Sequence, residues 1–127
     1  MYSLYIATKY VVEHNIPGDM VECGVFKSGS SMIMALTLKK MNDTERKLYL
    51  YDTYAGMTKP GKEDTNYRDE DFEGIWRRCQ RQNYNIWAYA PLEEVKNNLY
   101  STGYPRENII FIKVELKRQF PLLFQIK

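Results

Sequence analysis

Apolar residues recur at helical spacing from Tyr2 to His14, where Leu4, Ala7 and Val11 mark one face and Tyr5, Ile6, Tyr10 and Val12 widen it. An opening helix is predicted. Pro17-Gly18-Asp19 ends it, and the run MVECGVF, Met20 to Phe26, predicts a short and mostly buried strand of the kind that lies inside a parallel sheet. A second helical period begins at Gly29-Ser30-Ser31, whose hydroxyls suit capping of the first turn. Met34, Leu38 and Met41, with Ile33 and Leu36 beside them, give that helix a broad face for a sheet. Asn42-Asp43 breaks it, and LYLYDT, Leu48 to Thr53, predicts a second strand. Strand, helix and strand of these lengths make a right-handed βαβ unit.

Tyr54 to Arg68 carries Gly56, Pro60, Gly61 and many charges, and reads as a long loop of the size that usually forms a lid or binding element. Asp69 or Asp71 would then cap a helix with Phe72, Ile75, Trp76 and Cys79 inward, while Arg77, Arg78 and Arg81 suit its C-terminal dipole end. NYNIWAYA fits a helix end or a short strand. Pro91 suits the first turn of a further helix with Leu92, Val95 and Leu99 inward, and Gly103 suits its stop. Ile109 to Val114 is the third strand. The order β-α-β-α-α-β predicts an α/β fold with a parallel sheet in one domain over residues 1–127.

Composition changes this picture little. The 127 residues are 44% hydrophobic and 27% charged, ordinary for a globular domain. A net charge of +2 without a long basic run gives no reason to expect nucleic acid or a membrane surface as partner. No apolar run approaches the roughly 20 residues of a membrane span. Cys23 and Cys79 have neither metal nor redox spacing, Cys23 is expected to be inert in a buried strand, and a reducing, cytoplasmic setting is the expectation.

The candidate chemistry lies between the first two strands. In a doubly wound sheet, ligands sit beyond the carboxyl ends of the strands, where helix N-termini point N–H groups at them. Gly24 to Ser31 would occupy that place. Its spacing superficially follows a P-loop, but Ser30 stands where the phosphate-binding lysine belongs, and Phe26 stands where a dinucleotide fingerprint needs its second glycine. Glu22, two residues before the turn, would repel phosphate and attract an ammonium or sulfonium. Asp52 ends the second strand near the distance at which an acid reaches ribose hydroxyls. A ribose-bearing cation such as S-adenosylmethionine meets these requirements. The plainer alternatives are a tight strand-to-helix connection for the turn and a solvated strand end for Asp52. For Asp69, Glu70 and Asp71, helix capping outweighs metal binding, and His14, Trp76 and Trp87 read as structural. Lys59, Lys62 and Arg68 read as solvent-facing.

The joint occurrence of E-x-G-x-x-x-G-S-S and YDT-x-x-GM, with PLEEVKNNLYSTGYPRENIIFIK further on, resembles the macrocin O-methyltransferase (TylF-like) family, whose members use S-adenosylmethionine to methylate sugar hydroxyls of macrolides and related metabolites. The resemblance covers most of residues 1–113 and implies a Rossmann-like methyltransferase fold, here its N-terminal part. It implies that Glu22, Gly24, Gly29, Ser30 and Ser31 line the methionine end of the cofactor and that Asp52 binds its ribose. Thr53 and Tyr54 would sit at the same mouth, with Gly56 and Met57 starting a lid. The acceptor would be a small hydroxylated molecule. Val114 departs from the family, which continues with glycine at this point. The family's Mg2+ ligands and catalytic base would follow the next strand, so Mg2+ is implied by the resemblance alone and no catalytic residue is assigned. A chain truncated after the third strand is the expectation, with an open sheet edge through which it would pair with a second copy.

Overall fold

The computed structural model describes residues 1–64 and 70–115. Its elements run α1 (Tyr2–Glu13), β1 (Met20–Cys23), α2 (Gly29–Lys40), β2 (Leu48–Asp52), α3 (Phe72–Cys79), α4 (Leu92–Ser101), a 3-10 turn (Arg106–Asn108) and β3 (Ile109–Lys113). The three strands pair in the order β1-β2-β3, all parallel, with Met20, Leu48 and Ile109 level with one another and Glu22, Leu50 and Phe111 two residues further along.

The alternation of a strand decides what each side of this sheet meets. Leu48, Leu50 and Ile109 point to one side and are buried with Met34, Ala35 and Leu38 of α2 and Val95 and Leu99 of α4. Helix α1 packs on α2. Two successive right-handed crossovers in one direction place α2 and α4 on the same face. A further tie joins the two helices, since Lys39 Nζ donates to the carbonyl of Thr102 at the end of α4 (3.2 Å). Val21, Cys23, Tyr49, Tyr51, Ile110 and Ile112 point the other way, and none belongs to the core cluster.

This corrects the reading of β1. The strand stops at Cys23, because Gly24 turns off with φ of +85°, and its residues alternate between half-buried and exposed. Val21 is 60% exposed and Cys23 is exposed rather than sealed in a core. The physical reason is position: among the described residues β1 has β2 on one side and no strand on the other. Sequence hydrophobicity reported a strand that suits burial on both faces, but not how many neighbours it has.

The expectations for the other elements divide. Asp71 caps α3 by accepting from Gly74 N (2.8 Å), while Asp69 lies outside the described residues. Phe72, Ile75, Trp76 and Cys79 form the half-buried side of α3. Pro91 is the N-cap of α4 instead of lying in its first turn, and Gly103 follows its end with φ of +68°. NYNIWAYA is neither helix nor strand; it forms a turn in which Gln80 and Asn85 make a single antiparallel bridge. Leu36 is 48% exposed and faces away from the sheet, towards an apolar groove with Tyr2 and Tyr5 of α1.

Tyr104 fastens the bottom of the sheet. Its ring is buried and its hydroxyl donates to Arg46 O (2.7 Å) in the α2–β2 connection. Burial, then the nearby Asp43 carboxylate, pushes this phenol up to about 12, against a smaller opposing effect of Arg46. A raised folded-state pKa means that the unfolded chain loses its proton first, so the contribution is whole below about pH 10 and is lost as pH rises towards 12. Tyr104→Phe is therefore expected to flatten the fall in stability between pH 10 and 12, as followed by urea denaturation at a series of pH values.

Candidate functional site

Three strand ends leave the sheet at one level, because Cys23 pairs with Tyr51 and Asp52 pairs with Lys113. The turn after β1 is the tightest of these exits. Gly24 N still donates to Tyr51 O (2.8 Å), continuing the ladder, and φ is then positive at Gly24 (+85°), Phe26 (+48°) and Ser28 (+65°) but not at Val25 or Lys27. Such alternation turns successive N–H groups towards one point, the arrangement that binds anions. The anion is Asp52. Its Oδ2 accepts from Val25 N (2.7 Å) and Phe26 N (3.0 Å), and its Oδ1 accepts from Tyr54 N (2.9 Å).

Glu22 lies one pleat below. Ser31, fully buried in the first turn of α2, donates its hydroxyl to Glu22 Oε2. The expected capping by serine is not what the hydroxyls do: the N-cap is Ser28, it makes no side-chain cap bond, and its Oγ donates to Lys27 O (2.6 Å). The start of α2 thus keeps first-turn N–H groups without a side-chain cap.

A cleft of about 300 Å³ opens over these strand ends, lined by Gly24, Phe26, Asp52 and Thr53 on one side and by Gly56, Met57, Ala88 and Val114 on the other. A side-chain carbon added at Gly24 would meet nothing within 4 Å, so the backbone there is open to an incoming group. An adjoining cavity of about 500 Å³ shares Thr53 and Gly56 to Thr58 and adds the amide side chains of Gln80, Gln82 and Asn83. Of the sequence-predicted residues, Gly24, Asp52 and Thr53 line the cleft, and Glu22 and Ser31 are paired with each other. Gly29 backs onto Met1, whose Cε lies 3.2 Å from where its Cβ would be. Ser30 and Tyr54 are not among the lining residues.

Tyr54 needs correction. Its side chain is buried rather than at the mouth, its hydroxyl donates to Leu50 O (2.9 Å), and its ring meets Phe111 edge-on. Burial, followed by the charges of Asp52 and Glu22, raises its pKa far above the usual phenol value. Only its backbone N–H serves the rim. The loop after it is also less free at its start than a lid: Thr53 Oγ1 donates to Gly56 O (2.8 Å), Asn85 N to Ala55 O (2.7 Å), Met57 N to Trp87 O (3.0 Å) and Trp76 Nε1 to Met57 O (2.9 Å). Trp76 and Trp87 are half-buried parts of this clasp, and Lys59 is an exposed partner of Glu73 (3.4 Å). Arg68 lies outside the described residues. His14 is exposed at the end of α1, stacked on Tyr10.

Sequence reasoning missed Asn85, Ala88 and Val114. An asparagine among aromatic residues in NYNIWAYA was the available signal, since a polar amide in such company is usually buried with its partners satisfied. Among the described residues, no group of three or more His, Cys, Asp or Glu side chains comes together. No helix described is long and apolar enough to cross a membrane.

Residues 1–122 match the family profile described as Macrocin-O-methyltransferase (TylF). The chain belongs to this family. This TylF-family chain is 28% identical over 119 residues to 8-demethyl-8-(2,3-dimethoxy-alpha-L-rhamnosyl)-tetracenomycin-C 4'-O-methyltransferase of Streptomyces olivaceus, a match covering 94% of this chain and 42% of that protein. It is 23% identical over 111 residues to demethyldecarbamoylnovobiocin O-methyltransferase of Streptomyces niveus, covering 87% of this chain and 39% of that protein. The solved structure of the O-methyltransferase NovP superposes with a TM-score of 0.72 at 25% identity, over 92% of this chain and 45% of that one. The TylF-family chain thus has the expected Rossmann-like architecture and spans less than half the length of these relatives.

Proposed function

We propose that this chain carries the methyl-donor site of an S-adenosylmethionine-dependent O-methyltransferase acting on a hydroxyl of a sugar or related secondary metabolite. The observation that carries the proposal is the cleft at the strand ends, where the open backbone of Gly24 and the carboxylate of Asp52 line one cavity with Glu22 and Ser31 paired beside it. Membership of a family of O-methyltransferases supports the same reading.

When bound, the cofactor supplies an electrophilic methyl group on a cationic sulfur. Glu22, held by Ser31, supplies negative charge near the methionine end, and Gly24 leaves room for the ligand to approach the backbone. Gly29 and Ser30, in the first turn of α2, belong to the same end. Asp52 keeps one acceptor position, on Oδ1, for a ribose hydroxyl beside its three backbone bonds, and Thr53 borders the same space. The clasp of Gly56 and Met57 with Trp87 screens the cleft from water, which favours orientation of the acceptor. No described residue is assigned as the base for the acceptor's proton.

Titration calorimetry tests the donor site: saturable binding of S-adenosylmethionine supports it, and no heat at millimolar cofactor sinks it. Methyl transfer to a panel of hydroxylated glycosides then separates an enzyme from a module that binds cofactor without turnover. Glu22→Gln removes the charge at nearly constant shape. It is expected to weaken S-adenosylmethionine by roughly tenfold to a hundredfold, in line with the loss of a charge-assisted contact, and to change S-adenosylhomocysteine, which keeps the ammonium but lacks the sulfonium, much less where the sulfonium is the partner of Glu22.

A further inference from the structure

The ribose reading treats Asp52 as a group that meets the ligand directly. Its bonding within the chain suggests a larger task. Two consecutive N–H groups of the β1–α2 turn, those of Val25 and Phe26, converge on Oδ2, and the N–H of Tyr54 engages Oδ1. These bonds join residues 26 or 27 positions apart and so weld the turn to the end of β2. The welded turn is not one the chain prefers. Phe26 holds φ of +48°, a left-handed conformation that is uncommon for any side-chain-bearing residue and an outlier for a bulky one, and it is 46% exposed rather than fixed in the core. Left-handed Gly24 and Phe26 flanking Val25 turn the N–H groups of Val25 and Phe26 into the concave arrangement that ordinarily waits for an external anion. Here the chain brings its own.

We propose that Asp52 is a positioning residue that acts through the glycine turn: its carboxylate fills the turn's anion-binding hollow and holds Gly24 to Ser28 in the shape that receives the cofactor. The inference rests on the methyl-donor reading for its functional consequence, and on the ligand-free geometry for the clamp itself. Filling the hollow also makes the turn unfit for phosphate, because an anion already occupies the converging N–H groups. That is a physical reason, independent of the missing lysine, for a site that takes a cation. The consequence for binding is that loss of Asp52 alters the whole cleft, including the part beside Glu22 that never touches ribose.

Amide hydrogen exchange by NMR on the ligand-free chain decides the clamp. In Asp52→Asn, the amides of Val25 and Phe26 should exchange tenfold or more faster, while those of the buried strand residues Leu48 and Leu50 keep their protection and show that the fold persists. Asp52→Ala should show the same change, larger. Unchanged protection at Val25 and Phe26 in Asp52→Asn overturns the proposal. The second arm is a cycle with Phe26→Gly, which relieves the left-handed strain. If Asp52 acts through the turn, glycine at position 26 lessens the affinity lost for S-adenosylmethionine on Asp52→Asn; if the loss is the same in both backgrounds, Asp52 acts on the ligand alone and the proposal fails. Absence of cofactor binding in the wild-type chain would instead remove the methyl-donor reading, and the exchange result would still decide the clamp.

Discussion

Gly56→Ala is expected to cost about 3 kcal/mol or more and to lower cofactor affinity with it. Two effects add at this position. The residue sits at φ of +84°, where any side chain is strained, and an added Cβ would lie 1.8 Å from the carbonyl oxygen of Asn85 and 3.0 Å from that of Trp87. Both neighbours are backbone atoms of a strip that hydrogen-bonds across the same junction, through Asn85 N and Trp87 O, so neither can swing aside as a flexible side-chain tip would. Relief requires the strip Ala55–Met57 to part from Asn85–Trp87, breaking the bonds Asn85 N to Ala55 O and Met57 N to Trp87 O. Gly56 and Met57 also line the cleft, so parting changes its wall. Urea denaturation should show a lower midpoint, and calorimetry a weaker cofactor. An unfolding free energy within about 0.5 kcal/mol of wild type, the range of ordinary surface substitutions, would mean that the clasp is not closed in solution.

Asn85→Ala attacks the same junction from its other side and should cost about 2–4 kcal/mol. The amide is 2% exposed and bonded at both ends: its nitrogen donates to Trp76 O (2.9 Å) and Gln80 Oε1 (3.2 Å), and its oxygen accepts from Trp87 N (2.9 Å). Truncation leaves a carbonyl and an N–H buried without partners, each at about 1–3 kcal/mol, in addition to a small void. Since α3 reaches the clasp through Trp76 O, its amides should lose hydrogen-exchange protection together with those of Trp87. Combining the substitution with Gly56→Ala should cost less than the sum, because the first change already opens the contact that the second requires. Strict additivity would show that the two residues stabilise separate units.

What could be read without coordinates was whatever depends on a few neighbouring positions. The period of Met34 and Leu38 gave α2, the alternation of Leu48 and Leu50 gave β2, and Asp71 announced the start of α3. The order of strands and helices was enough for the layered parallel fold, and the joint occurrence of E-x-G-x-x-x-G-S-S and YDT-x-x-GM carried the resemblance to the family that residues 1–122 match. Less legible was anything set by partners distant in the chain. The exposure of Cys23 depends on which strands flank β1, and an apolar run reads the same at an edge as at a centre. Tyr54 follows the strand-end acid closely enough to suggest the mouth, yet its own φ of +52° accompanies a side chain carried into the core. The bonds from Asp52 to the turn cross more than 25 residues, and no local spacing encodes them.

The sheet face turned away from the helices carries Val21, Cys23, Tyr49, Tyr51, Ile110 and Ile112. Its footprint follows from strand geometry: three strands about 4.8 Å apart and two side-chain rows about 6.6 Å apart along each give roughly 190 Å². A patch of that area is below the few hundred Å² that soluble monomers commonly tolerate. Lateral growth at the β1 edge is thus a question of unpaired backbone groups more than of exposed grease. A charged residue in place of Val21, which is 60% exposed, would wet the face at almost no cost to the core beneath the opposite one.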